Sequence, residues 1–387
     1  MFLLATLFLC LFVCVPGDAG GVESPSAVQT PAKIGECKKC HGAGRLPCSE
    51  HPKGECEYED RVLFCSVVAD CAVCGGAGFV SCDVCHDEAV AKRLEEKRAK
   101  VQERKPLLKP IDDKMGRPLR KAETAHFVFV WEMDKAKIDK RWVDAHEALH
   151  IYIERMEKFY ADYCARLAVT DKDFSNKCWI FVWYHPEDHE MGALKFCSQA
   201  AKGGVKLMGP NPRYSVCGNK QNFQNDEQLH RDIVHCTTHL LMSNQDPPQW
   251  IGNIKGGWAD EGLAHWFEDR YWGVCDVYCY QEQNTNIDFK AGKFRLAVRK
   301  MVTEGHTPSI ADVFQQNVDT LTLPMNAAAF SYVDYLMFKD SAKFKEVVKK
   351  LKAKMPTRDA LQQVYSMSPM DLETQWKAWV LETYPTR

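Results

Sequence analysis

The sequence predicts an α+β protein: a small β-sheet followed by a helical lobe, with a small cysteine-rich module in front. Three observations predict this class. A cysteine pattern occurs twice between residues 37 and 85, and short strand-like apolar runs alternate with amphipathic helices between residues 121 and 272. Helical spacing then dominates residues 273–387. A chain of 387 residues is long enough for one large domain and one small one.

The bulk composition excludes some classes of partner. The chain is 45% hydrophobic and 26% charged, which is typical of a globular protein. Its formal net charge is -2 and its pI is about 6.7, so it lacks the basic excess of a nucleic-acid-binding protein. We expect no nucleic-acid partner, and the sequence does not predict the oligomeric state.

Residues 1–20 predict export. The segment MFLLATLFLCLFVCV is almost wholly apolar, and the small residues of PGDAGG offer a cleavage point after Ala19. We therefore expect a secreted, periplasmic or cell-surface protein. A short uncleaved anchor is the alternative, and contact with a membrane is expected only in that case.

The cysteine-rich module spans residues 35–87. Its two copies read CKKCHGAGRLPCSEH and CAVCGGAGFVSCDVC. Four soft ligands at this spacing suit tetrahedral zinc, whereas a histidine in the fourth place is not explained by disulfides. We expect two structural zinc ions, and the equal spacing favours one ion within each copy: Cys37, Cys40, Cys48 and His51 for the first, and Cys71, Cys74, Cys82 and Cys85 for the second. A different pairing of the knuckles stays open.

The C-x2-C-x-G-x-G element of each copy resembles the cysteine-rich zinc domain of DnaJ-type chaperones. The resemblance covers the knuckles at residues 37–44 and 71–78, and no J domain accompanies it. It implies a structural or interactive role without catalysis. Cys56 and Cys65, between the two copies, are expected either to form a disulfide or to remain free.

Residues 88–120 predict a solvated helix over EAVAKRLEEKRAKVQERK and then the linker KPLLKPIDDKMGRP. The large domain follows over residues 121–387. Its predicted elements are the strand HFVFVWEM, the long helix KRWVDAHEALHIYIERMEKFYADYC, the strand KCWIFVWY, the short helix EDHEMGALKFCSQA, a hairpin or loop over residues 201–219, and the helices NDEQLHRDIVHCTTHLLMSN and WADEGLAHWFEDRYW. Residues 273–387 form the helical lobe.

The last two of these helices carry the main candidate site. His235 and His239 are one helical turn apart, so both rings project from one face and can reach one ion. Glu261 follows 22 residues later on the second helix, behind a loop with two prolines. We expect these three residues to bind a third zinc ion. The alternatives are two core histidines with an unrelated glutamate, and His265 as an extra ligand or as packing.

Residues 121–387 resemble the gluzincin metallopeptidases in the order of their elements. His235 and His239 stand where the family has its two histidines, and Glu261 in Asp-Glu-Gly-Leu-Ala matches the family's Asn-Glu-Gly-x-Ala motif. The resemblance implies that Glu268 orients a histidine ligand.

Two catalytic parts of that family are altered in this chain. The resemblance implies a glutamate as general base after the first histidine, but Cys236 stands there. It also implies a tyrosine that stabilises the oxyanion. Alignment places Asn326 at that position, and Tyr332 or Tyr335 could substitute for it.

A literal H-E-x-x-H motif also occurs, at His146, Glu147 and His150, with His185 and His189 as its nearest helpers in sequence. We favour this place less, because no Glu-Gly-x-Ala helix follows it at a suitable distance.

These patterns support three functions. The first is an exported, catalytically impaired zinc-binding pseudoenzyme that binds a peptide or a protein or serves as a scaffold. The second is an active zinc metallopeptidase that uses Asp232, Asp260 or the Cys236 thiolate as its base. The third is a thiol-redox or chaperone-like protein whose cysteine-rich module carries the activity.

Overall fold

The computed structural model of the protein describes residues 34–51, 61–279 and 289–387. The predicted export segment and Cys56 therefore lie outside the described residues. Within these ranges the strands are β1 (Arg45–Pro47), β2 (Phe64–Cys65), β3 (Phe79–Ser81), β4 (Lys121–Glu123), β5 (Phe127–Glu132), β6 (Lys135–Ile138), β7 (Arg141–Asp144), β8 (Cys178–Trp183), β9 (Val205–Leu207) and β10 (Arg213–Cys217). The helices are α1 (Glu88–Met115), α2 (Ala145–Leu167), α3 (Pro186–Cys197), α4 (Asp226–Asn244), α5 (Gly257–Trp272), α6 (Phe294–Glu304), α7 (Ile310–Val313), α8 (Leu323–Lys352), α9 (Thr357–Tyr365) and α10 (Pro369–Thr383).

A mixed sheet organises the first half of the large domain. Its strands lie in the order β2, β4, β5, β8, β10, β9. Strand β8 pairs in parallel with β5 and with β10, and the other pairs are antiparallel. Along β5, Phe127, Phe129 and Trp131 belong to the core on one face of the sheet, and Val128 and Val130 to the core on the other. Burial on both faces explains why this strand is an unbroken apolar run.

Helices cover both faces of the sheet and position the candidate site. Residues of α1 and α3 fill the core on one face, and residues of α2 and α4 fill the core on the other. Helix α5 packs against α4 on one side and against α8 of the helical lobe on the other. The predicted fold class, α+β with a helical C-terminal region, is confirmed. No helix in the described ranges is both long enough and apolar enough to cross a bilayer.

Two local predictions were wrong. The predicted linker is largely helical, because α1 continues through Pro106 and Pro110 to Met115. Leu108, Ile111 and Met115 are buried in the core of the sheet, and this burial outweighs the two prolines. The first residues of the predicted long helix instead form β7, the second strand of the β6–β7 hairpin, and α2 starts only at Ala145, capped by Asp144.

Close packing of α5 against α8 predicts a cost for any side chain at Gly262. A Cβ atom there would lie 2.7 Å from the Ala329 carbonyl oxygen and 2.7 Å from Val333 Cγ2. We expect Gly262→Ala to lower the free energy of unfolding by about 1–3 kcal/mol, although alanine favours helix. Gly203→Ala is the matched control, because its Cβ would meet nothing within 4 Å. Urea titrations of both variants at fixed zinc concentration measure the difference, and equal stabilities would contradict this packing argument.

Candidate metal centres

Four buried side chains converge between α4 and α5. His235 and His239 lie on α4, Glu261 on α5, and Cys279 in the segment after α5; one ligand atom from each lies within 4.8 Å of the others. The two Nε2 atoms are 3.1 Å apart. Glu261 Oε2 is 3.5 Å from His235 Nε2 and 3.7 Å from His239 Nε2. The structure thus brings together the three residues that the sequence suggested and adds a thiol.

The Cys279 thiol occupies the fourth corner of this group. Its Sγ is 3.3 Å from His235 Nε2 and 3.9 Å from His239 Nε2. Tetrahedral zinc with bonds of 2.0–2.3 Å separates its ligand atoms by about 3.3–3.8 Å, so most of these spacings fit one ion. Sequence pattern did not single out Cys279, because it belongs to neither of the repeated cysteine motifs nor to the histidine pair.

Glu268 lies two turns after Glu261 on α5 and holds two of the histidine rings in place. Its Oε1 lies 2.6 Å from His235 Nδ1 and 2.8 Å from His265 Nδ1. Its Oε2 accepts the backbone N–H groups of Asp276 (2.9 Å) and Val277 (3.1 Å). Burial raises the pKa of Glu268, but His235 and His265 outweigh burial and lower that pKa to about 2.

His239 is held less firmly than His235. Asp260 Oδ2 lies 3.0 Å from His239 Nδ1, without the alignment of a hydrogen bond, and accepts Trp250 Nε1 at 2.7 Å. His265, the optional extra ligand, points its Nε2 towards Glu261 Oε2 at 4.0 Å. Because Glu268 holds its Nδ1, His265 lies beside the four converging side chains and is not one of them.

The electrostatics of this group favour a cation. Glu261 Oε2 is buried and has no hydrogen-bond partner. Burial opposes protonation of His235, yet Cys279 and Glu268 raise its pKa well above the usual value. Because Glu261 and Cys279 are buried beside the two Nε2 atoms, a divalent ion bound there would compensate their negative charge. The donor set of two imidazoles, a carboxylate and a thiol suits zinc.

Cys236 follows His235 on α4, and its thiol is hydrogen-bonded to Cys279. Their hydrogen bond, with the positive charges of Lys206 and His235, lowers the pKa of Cys279 well below its usual value despite burial. Burial and the same neighbour raise the pKa of Cys236 far above its usual value. Lys206 on β9 donates to Cys279 Sγ at 2.7 Å. In this pair Cys279 is the thiolate, and Cys236 is a protonated thiol that donates to it.

The other candidate catalytic residues do not belong to the converging group. The Tyr214 hydroxyl donates to Asp232, whose pKa burial raises to about 6. The buried ring of Tyr332 packs against Trp376 at 4.6 Å, outside the converging group. Tyr335 donates to Gln375 at 3.1 Å. Asn326 is fully buried, and neither polar atom of its amide has a hydrogen-bond partner.

Two further groups form in the cysteine-rich module, and the expected grouping within each copy is wrong. Cys37 and Cys40 converge with Cys82 and Cys85, while Cys48 and His51 converge with Cys71 and Cys74. Sγ–Sγ distances are 3.8 Å for Cys37–Cys82, 3.7 Å for Cys40–Cys85 and 3.7 Å for Cys48–Cys71. Zinc–sulfur bonds of 2.3 Å in a tetrahedron require about 3.8 Å. The cysteines of these two groups form no disulfide, so these distances suit a shared ion.

The exchange between copies follows from strand pairing. Strand β1 lies inside the first copy and β3 inside the second, and they pair antiparallel with Leu46 opposite Val80. The chain leaving the first knuckle therefore runs beside the chain entering Cys82, whose N–H donates to the Gly44 carbonyl at 2.9 Å. At the other end of the ribbon, Cys48 N–H donates to Gly78 at 3.1 Å. Each copy thus contributes half of each ligand set.

The literal H-E-x-x-H motif is placed at the start of α2. Burial lowers the pKa of His146, and burial together with His146 lowers that of His150 to about 3. Glu147 pairs with Arg141. His189 instead has its Nε2 3.2 Å from the Ser215 carbonyl oxygen, so it does not join this motif.

Comparison with protein-family models and with curated proteins finds no match for this chain. The clusters that could bind zinc therefore rest on the placement of their own side chains.

The placement of Glu268 predicts a role in positioning. Glu268→Gln removes the charge that holds the His235 ring and the segment before Cys279, so zinc affinity at this centre should fall about 10- to 100-fold. Competition with a chromophoric chelator measures it. Asp269→Asn is the matched control, since the neighbouring Asp269 pairs with Arg295 instead. Equal affinities in the two variants would contradict this role.

Zinc counts can test the exchange of ligands between copies. Cys40→Ser and Cys82→Ser should each remove one ion per chain, and the double variant should remove no more than either single one. Cys40→Ser with Cys48→Ser should remove two. Elemental analysis of the full chain gives these counts, with Cys164→Ser as the control outside the clusters. If each ion were held within one copy, Cys40→Ser with Cys82→Ser would remove two ions and Cys40→Ser with Cys48→Ser would remove one.

Proposed function

We propose that this is a zinc-binding, peptidase-like protein whose central metal site does not hydrolyse peptides. The observation that carries the proposal is the position of Cys279. A catalytic zinc has three protein ligands and leaves its fourth position open, whereas a structural zinc has four. Here a thiol, 3.3 Å from His235 Nε2, takes the fourth corner of the group.

The residues around the centre support an inert role. Cys236 replaces the base, and it donates its proton to Cys279 rather than accepting one. The two aspartates that could replace it are bound to Tyr214 and Trp250. At most 1% of the surface of His235, His239 and Glu261 is exposed, which suits a closed structural site.

Zinc at this centre would supply a cross-link with four protein ligands. His235 and His239 would hold it to α4, Glu261 to α5, and Cys279 to the following segment. Glu268 would keep the His235 ring in the orientation that presents Nε2. The expected gain is stability of this helix pair, because an ion that binds only the folded chain adds its binding free energy to folding.

The resemblance to a secreted peptidase extends the proposal to a biological role. We propose that the protein is exported and binds a peptide or protein ligand as a scaffold, with the cysteine-rich module as a metal-stabilised contact surface. The apolar segment over residues 1–15 supports export. The two groups of module ligands, which lie within a segment of only about 50 residues, support a fold that needs metal.

A paired set of variants tests the inert centre. Wild-type protein should not cleave a peptide library. Cys236→Glu combined with Cys279→Ala restores a base and opens the fourth position, so it should cleave about 10²- to 10⁴-fold faster than Cys236→Gln combined with Cys279→Ala. Fluorogenic peptides with mass-spectrometric product analysis give both rates. Zinc-dependent cleavage by the wild type that His239→Ala abolishes would overturn the proposal.

A further inference from the structure

Another group of cysteine and histidine side chains lies where the cysteine-rich module meets the large domain. Cys65 Sγ is 3.6 Å from His146 Nε2, and His146 Nε2 is 2.9 Å from His150 Nε2. The three ligand atoms lie within 4.8 Å of one another. Cys65 and His150 are buried, and His146 is half-buried.

This group repeats the geometry of the central site. His146 and His150 are one turn apart on α2, as His235 and His239 are on α4, where the Nε2 atoms are 3.1 Å apart. The sulfur–nitrogen distance equals the edge of about 3.6 Å that zinc bonds of 2.3 and 2.05 Å impose in a tetrahedron. The shorter nitrogen–nitrogen distance also suits an N–H···N hydrogen bond, which is the competing arrangement.

The backbone presents the thiol to the two rings from a different element. Cys65 is on β2, and its Cα pairs with Ala122 at the edge of the main sheet. Val62 and Val68, on either side of it, are buried in the same core as α2. Cys65 is thus fixed against the first turns of α2 by packing that is independent of the two imidazoles.

A small cavity adjoins the three side chains. Its volume is about 20 Å³, and Gly76, Gly78, Lys97 and Val101 contribute to its lining. A space of this size holds about one water molecule, which would complete four-coordination. Lys97 and Arg120 are the positive side chains near the two rings, and Asp144 is the nearby acid. With no carboxylate ligand, the Cys65 thiolate would supply the only negative charge in the ligand set.

Glu147 does not serve this group as a base. It forms an ion pair with Arg141 on the exposed side of the helix start, and its backbone N–H is capped by Asp144. The H-E-x-x-H pattern therefore provides two ligands here and no hydrolytic machinery.

We propose that Cys65, His146 and His150 bind a structural zinc ion that fastens the cysteine-rich module to α2 of the large domain. The ion joins β2, which lies between the two copies of the module and pairs with the main sheet, to the first turns of α2. This site is separate from the central group on α4 and α5 and from both groups inside the module.

Zinc counts on the full chain give the first test. Cys65→Ser and His150→Gln should each retain one ion fewer than the wild type in native mass spectrometry. Cys164→Ser and His185→Gln, which lie outside every group, should retain the wild-type number. Unchanged counts in folded Cys65→Ser and His150→Gln proteins would overturn the proposal.

A measurement on the wild type decides the question even if those variants do not fold. In cadmium-113-substituted protein, one cadmium resonance should correlate with the Cβ protons of Cys65 and with ring protons of both His146 and His150. The same resonance should persist in His239→Gln, which alters only the central site. Absence of any cadmium coupling to these two rings would leave only hydrogen bonds and would refute the site.

Discussion

The buried carboxylate of Glu268 is the interaction on which the central site depends. One oxygen holds the rings of His235 and His265, and the other accepts two backbone N–H groups of the segment that leads to Cys279. A fully buried carboxylate is stable only with such partners, so α4, α5 and this segment take up one mutual arrangement. That arrangement places His235 Nε2, a Glu261 oxygen and the Cys279 thiolate around a common point.

The same arrangement completes a set of four possible metal ligands. His235, His239 and Glu261 leave one corner of a tetrahedron open, and the segment after α5 fills it with Cys279. Positions 236 and 279 are also coupled, because the hydrogen bond from Cys236 lowers the pKa of Cys279. A glutamate at position 236 would bring a second negative charge close to that thiolate, which is unfavourable in a buried site.

Local sequence patterns predicted many elements of this fold, but they could not predict its long-range pairing. The apolar runs over Phe127–Glu132 and Cys178–Trp183 are strands, and the spacing of His235 and His239 placed both rings on one helix face. Cys279 could not be found in this way, because it follows α5 in a segment without periodicity. The grouping of the module cysteines depends on β1 pairing with β3 across more than 30 residues, a contact that identical local spacing cannot reveal. Tertiary burial likewise overrode the prolines of α1.

The exchanged ligand sets of the module have a consequence for the order of its assembly. Cys48 and His51 must wait for Cys71 and Cys74, and Cys37 and Cys40 must wait for Cys82 and Cys85, so neither set can form from the first copy alone. The loops to be closed span 45 residues for Cys37–Cys82 and 23 for Cys48–Cys71, which favours the inner set first on entropic grounds. Because each set draws ligands from both copies, neither copy can unfold without losing both sets of ligands.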